Sequence, residues 1–191
     1  MTKNRLEAFS DGVIAILITI MVLELKVPSG HDFAAVRPMW PVFLAYLMSF
    51  VVLAIYWNNH HHMLHATRHV TGGVLWANVH LLFWLSLIPF TTAWMGESGF
   101  EPFPTAAYGA VLLFSGIAYY ALQSTIIAYD GMAPEVAALL RGDMKGRLSV
   151  MLYAAAVPLA FVHRAIAGAI YAAVALMWLV PDRRIERALK R

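Results

Sequence analysis

Five histidines fall within ten residues of this chain: His60, His61, His62, His65 and His69. Imidazoles spaced i, i+4 (His61, His65) or i, i+3, i+7 (His62, His65, His69) share a helix face and can ligate zinc or iron. A membrane di-iron site needs further histidine clusters with carboxylates beside them. The remaining histidines, His31, His80 and His163, stand apart. The run therefore reads as helix packing and interfacial hydrogen bonding, with no metal and no cofactor expected. A histidine-cluster metalloenzyme is the alternative. The chain has no cysteine, which excludes disulfides, thiolate nucleophiles and Cys-ligated metals.

A second group heads the first apolar stretch: Arg5, then Phe9, Ser10 and Asp11. A charge at mid-bilayer costs about 2.5–3.5 kcal/mol on the lenient insertion scale. A segment that keeps Arg5 and Asp11 has a protein or water surface to face. Trp57, Asn59, His60 and His61 lie at the same level, at the inner end of the second stretch, and Asn78 and His80 begin the third there. A buried Arg–Asp pair needs such partners, because desolvation otherwise outweighs attraction. Ser10 has no general base arranged beside it and is not read as a nucleophile.

Further along the first stretch, Ile16, Ile20 and Leu23 are spaced i, i+4, i+7 and form one stripe, with Thr19 at its edge. Two readings stand. The stripe packs against lipid or core, or it lines a conduit. Rings of Ile and Leu around an axis make a hydrophobic constriction that gates by dewetting. Thr19 would add hydroxyls that replace lost hydration water.

The elements that position these groups are membrane helices. Of 191 residues, 61% are apolar and 13% charged, against roughly 45–50% and 25% in soluble domains. Six apolar stretches are predicted, at about 8–25, 40–57, 74–95, 105–129, 148–162 and 165–180, in a single all-α domain spanning 1–191. Spanning takes roughly 20 residues. Read as one helix, 148–180 would be about 50 Å long, too long for a core of about 30 Å, so a tight hairpin is expected at His163 and Arg164. Only about 18 Å of helix separates Asp11 from Glu24, which marks the first stretch as an interior helix. Pro89 and Pro158 are candidate kinks, and small residues on the sixth stretch favour close packing. Gly96–Gly99 and Ser29–Asp32 read as outer turns.

Eleven of the fourteen Lys and Arg residues fall on one side of this arrangement. Both termini are therefore expected in the cytoplasm of a multi-pass plasma-membrane protein. Pro134–Arg141 is expected as a short interfacial helix, and Asp182–Arg191 as a basic stub at the headgroups. The first stretch lacks a small-residue cleavage pattern, so no signal peptide is expected. The net charge of +3 is explained by topology and does not point to nucleic acid.

Arg5-x-x-x-Phe9-Ser10-Asp11 before an Ile/Leu-rich first helix resembles the signature of the TMEM175 family in its bacterial and archaeal form. The resemblance extends to the Trp57…Asn59-His60-His61 run, the six spans and the length. It implies a potassium-preferring cation channel, not an enzyme, that lacks the TVGYG filter and assembles as a homotetramer with the first helix lining a central pore. Carried over by position, Ile16 would be the narrowest ring and Ile20 and Leu23 the next, with Thr19 in a selectivity layer. Arg5, Phe9, Ser10 and Asp11 would join Trp57, Asn59 and either His60 or His61 in a network that holds the pore helix. Its implied partners are potassium and other monovalent cations, the bilayer and three further copies of the chain. A coupled transporter or an inert scaffold is the remaining rival.

Overall fold

The computed structural model describes residues 2–129, 134, 137–138 and 142–179. All regular structure among them is helical. Helix α1 (Lys3–Ile20) runs into a 3-10 turn, Met21–Glu24. A short α2 (Phe33–Val36) and a second 3-10 turn, Arg37–Met39, lead into α3 (Trp40–Ala66). Then come α4 (Gly72–Ser86), α5 (Ile88–Glu97), α6 (Pro102–Ala128), α7 (Met144–Val162) and α8 (Arg164–Leu179). Five continuous stretches are long and apolar enough to cross a membrane: Lys3–Glu24, Phe33–Ala66, Gly72–Glu97, Pro102–Ala128 and Met144–Val162. Helix α8 is apolar and shorter. The interfacial helix expected at Pro134–Arg141 lies outside the described residues, apart from the helical Pro134, Ala137 and Ala138. The basic stub at Asp182–Arg191 lies outside them entirely.

Local chemistry sets the boundaries. Asp32 caps α2 by accepting from the Ala35 amide at 3.1 Å, and Thr71 caps α4 by accepting from Val74 at 3.3 Å. Prolines 41, 89 and 102 occupy the first turns of α3, α5 and α6, where a missing N–H leaves no bond unmade. Pro89 thereby divides the third apolar stretch: α4 ends at Ser86, Leu87 is the joint, and α5 continues. Pro158 lies inside a continuous α7. The turn after α5 begins at Ser98 and is closed by Gly99 and Phe100, both left-handed (φ 64° and 63°), with Phe100 donating to the Met95 carbonyl at 2.9 Å.

Helices α7 and α8 form the expected antiparallel hairpin, turned on the extended His163 alone. Their far ends meet: Trp178 Nε1 donates to Ser149 Oγ at 2.8 Å and Lys145 Nζ to the Met177 carbonyl at 3.3 Å. Arg164 opens α8 and pairs with Glu101 at 2.8 Å. Helix α6 is central, packed by α4 and α7 with α5 and α8 beside them, while α1 lies against α3 and α4. Membrane helices gain little from hydrophobic transfer between themselves, so close packing carries the association. A Cβ on Gly96 would sit 2.8 Å from the Val42 Cα, so α5 approaches the backbone of α3. A Cβ on Gly109 would lie only 2.0 Å from the Tyr171 hydroxyl, so α8 seats its tyrosine against the bare backbone of α6. That hydroxyl donates to the Thr105 carbonyl at 3.1 Å.

Candidate functional site

Helix α1 has two faces that differ sharply in burial. Leu6, Ser10, Ile14, Leu17 and Met21 recur every three or four residues and are buried against α3, α4 and α5. The opposite face is bare. Ile16 is 63% exposed, Ile20 44% and Leu23 77%, whereas Ile14 is 0% exposed. Phe9 and Thr19 lie on the exposed side with them. The four residues singled out as conduit-lining therefore share one face, and no other part of the described subunit covers it. Thr19 Oγ1 donates back to the carbonyls of Ala15 and Ile16 at 3.0 and 3.1 Å. With its proton committed to the helix, the hydroxyl oxygen presents lone pairs outward, the polarity a cation needs.

Beneath the bare face, a chain of hydrogen bonds ties α1 to its neighbours. Ser10 Oγ donates to the Leu6 carbonyl at 2.9 Å and accepts from Asn78 Nδ2 at 2.9 Å. Asn78 Oδ1 lies 2.7 Å from His60 Nε2. Ser10, Asn78 and His60 are all 0% exposed, one each from α1, α4 and α3. His60 Nε2 must be the protonated nitrogen for this bond, since Asn78 presents its carbonyl oxygen. A second set lies nearer the surface. Trp57 Nε1 donates to Asp11 Oδ1 at 3.0 Å, and the Trp57 ring stacks on His61 with centroids 6.0 Å apart. His61 Nδ1 sits 3.2 Å from Glu7 Oε1 without the alignment of a hydrogen bond. Lys3 Nζ bonds the His65 carbonyl, so the start of α1 is strapped to the end of α3.

The alternative between His60 and His61 resolves into two separate roles. His60 belongs to the buried chain, and His61 belongs to the Trp57–Glu7 side. Asn59 joins neither: its amide returns to the Ile55 carbonyl at 2.8 Å, and its own carbonyl accepts from Tyr119 at 3.3 Å. The expected Arg5–Asp11 pairing is corrected. Among the described residues Arg5 is exposed and has neither hydrogen bond nor ion pair. Six residues of helix set the two side chains about 9 Å apart along the axis and well round it. Asp11 takes Trp57 instead.

Sequence alone places Asn78 only at the level of the signature and gives Glu7 no role. The signal for Asn78 was an amide inside an otherwise apolar helix, which must find partners. Glu7 lies one turn before Asp11, on the side of α1 that meets the histidine run. The histidines themselves do not converge on a metal. His61 stacks on His65 at 6.1 Å and meets His62 edge-on at 5.7 Å, while His80 accepts from Trp84 Nε1 at 2.9 Å. Among the described residues no group of three or more His, Asp or Glu side chains is placed to hold a metal ion.

Comparison with known proteins falls on the same elements. The family described as the endosomal/lysosomal potassium channel TMEM175 matches residues 5–89, which run from α1 into α5. A potassium channel of Chryseobacterium sp. (strain P1-3) is 50% identical over 190 residues, covering 100% of this chain and 99% of that one. The endosomal/lysosomal proton channel TMEM175 of Mus musculus is 29% identical over 146 residues, 68% of this chain and 29% of the mouse protein. A crystal structure of a TMEM175 homologue from Chamaesiphon minutus, described as a lysosomal potassium-selective channel, superposes with a TM-score of 0.81 at 28% identity, covering 93% of this chain and 96% of that one. Half of all positions agree over essentially the full length of the bacterial relative, and the helices that carry the buried chain and the bare stripe are the ones the family match covers: the chain belongs to the TMEM175 family.

Proposed function

We propose that four copies of this chain, each a single six-span domain with both termini in the cytoplasm, surround an axis lined by α1 and conduct monovalent cations, potassium in preference. The family is one of ion channels, not enzymes, and the full-length bacterial relative is named a potassium channel. The observation that carries the reading is the division of α1. Ile14, Leu17 and Met21 are consumed by the subunit's own core, and Ile16, Ile20 and Leu23 are left facing outward. In the tetramer those three positions form stacked apolar rings with Ile16 narrowest, and Thr19 places a layer of hydroxyl oxygens between the first two. Passage is passive. An apolar constriction offers no fixed cation site, so it excludes ions by dewetting when narrow and gives modest selectivity when wet.

Ser10, Asn78 and His60 hold the pore helix from behind, and Asp11 with Trp57 fixes its inner end. The sixth crossing is α8, whose length of about 24 Å suits a helix sheltered by the neighbouring α6 and α7. The lysine and arginine asymmetry supports the cytoplasmic placement of both termini, in the plasma membrane.

The test is flux from liposomes holding protein whose oligomer mass has been measured. The expected result is a four-subunit mass and a potassium flux that exceeds sodium flux and needs no co-ion. A two-subunit mass, or transport that saturates and depends on a second ion, overturns the reading.

A further inference from the structure

The 3-10 turn after α1 carries the first carboxylate beyond the apolar stripe. Met21 anchors this turn, buried to 2%, and the turn packs on α3 and α5. Leu23 and Glu24 are left exposed at its end. Among the described residues Glu24 makes no ion pair. Its basic neighbour in sequence is Lys26, but that ammonium is engaged elsewhere: Nζ donates to Glu97 Oε1 at the end of α5 at 2.8 Å. The Glu97 hydrogen bond, then the Glu97 charge and last the Glu24 charge raise the Lys26 pKa above the usual lysine range. Arg164 on the same side is held by Glu101 at 2.8 Å. The Asp32 carboxylate caps α2, and Arg37 and His31 lie on the connection towards α3.

We propose that Glu24, repeated in each subunit around the α1-lined axis, forms a carboxylate ring that concentrates monovalent cations at the mouth of the conduit, and that Glu97 offsets the charge of Lys26 so that the ring is not cancelled. This rests on the pore reading above. Rings of acidic side chains attract cations at channel mouths, and several like charges around a narrow opening sum to a potential that raises local cation concentration. The attraction spans the mouth at low salt, where the screening length is about 30 Å at 0.01 M, and vanishes at about 3 Å in 1 M. The lysine makes the arrangement conditional. An unpaired ammonium two residues from each carboxylate would neutralise the ring charge for charge, and the ion pair with Glu97 at the end of α5 offsets it.

Single-channel recording in planar bilayers tests this with Glu24→Gln, Glu97→Gln and the double variant Lys26→Gln/Glu97→Gln, with Ile16→Asn run in parallel. At about 10 mM potassium on the Glu24 side, Glu24→Gln is expected to lower conductance from that side several-fold. In about 1 M potassium it should match the parent. Glu97→Gln is expected to lower it in the same way by releasing Lys26, and the double variant to restore it with Glu24 untouched. Unchanged low-salt conductance in Glu24→Gln, with Ile16→Asn still raising the current, refutes the ring and leaves the conduit standing. No effect from either variant refutes both. A Glu97→Gln loss that the second substitution does not restore refutes the role given to Lys26.

Discussion

Ile14 and Ile16 stand two residues apart on α1 and present opposite predictions for one substitution. Ile14 is 0% exposed and Ile16 is 63% exposed. Ile14→Asn replaces a close-packed aliphatic side chain by one of different shape and loses its packing contacts, about 1–3 kcal/mol. It also leaves an amide without a partner in the core, at about 1–3 kcal/mol more. The subunit should lose about 3–5 kcal/mol and assemble poorly. Ile16→Asn removes little from the subunit's own core, and its cost depends on what covers the bare face. Against acyl tails the amide would be stranded in hydrocarbon at about 2 kcal/mol or more. At a wet constriction it would be hydrated, and stability should stay within about 0.5 kcal/mol. Four amides in place of four isoleucines also favour water in the constriction, and every drop of about 1.4 kcal/mol in the barrier raises the current about tenfold. The assay pairs denaturant titration of the purified assembly with potassium flux from liposomes. The expected pattern is an unstable Ile14→Asn, and an Ile16→Asn of parental stability and several-fold higher flux. An Ile16→Asn that loses about 2 kcal/mol with no gain in flux would place the stripe against lipid and remove the basis for the conduit.

Asn78→Leu keeps the branching at Cγ in a somewhat larger side chain but removes both bonds of the buried chain. Interhelical hydrogen bonds in membranes average about 0.6 and reach about 1.7 kcal/mol, so a loss of about 1–3 kcal/mol is expected in a refolding titration, and an unchanged midpoint would deny the chain a holding role. Trp57→Phe keeps a ring beside His61 and frees Asp11; a double-mutant cycle with Asp11→Ala should return a coupling of about 1 kcal/mol, with the potassium-to-sodium ratio unchanged, and zero coupling would contradict the observed bond. Gly109→Ala forces Tyr171 away from its seat and should cost about 1–3 kcal/mol. Gly168→Ala, whose added carbon meets nothing within 4 Å, should be neutral or gain up to about 1 kcal/mol; equal effects at the two sites would contradict the packing of α8 on α6.

The parts of this molecule legible in its sequence are those where polar atoms meet apolar runs. Each predicted apolar stretch falls on a helix or a pair of helices, and the hairpin at His163 followed because no single helix of that length fits a bilayer. The end of α3 was less legible. The apolar stretch stops at Trp57, yet the helix continues to Ala66, because Asn and His residues stay helical where neighbouring helices give them partners. The joint at Leu87 was harder still. Pro89 announces a discontinuity, but a proline serves as well in the first turn of a new helix as at a kink in an old one. Nor does spacing alone choose between His60 and His61, since adjacent residues point 100° apart and only the placement of α4 decides which one meets Asn78.

The faces of α1 were the least legible feature, and the reason lies in the solvent. In water, an apolar stripe marks the buried side because the other side must be polar. In a bilayer every side is apolar, so Ile14 and Ile16 carry the same residue type with opposite burial. What separates them is the buried polar chain. The Asn78 amide needs Ser10 and His60 as partners, so the Ser10 side of the helix is turned inward. Ile14, Leu17 and Met21 follow at helical intervals, and Ile16, Ile20 and Leu23 are left on the face the subunit does not cover. The hydrogen-bonding demand of the buried asparagine on α4, met by Ser10 and His60, thus sets the orientation of the aliphatic stripe on which conduction is proposed to depend.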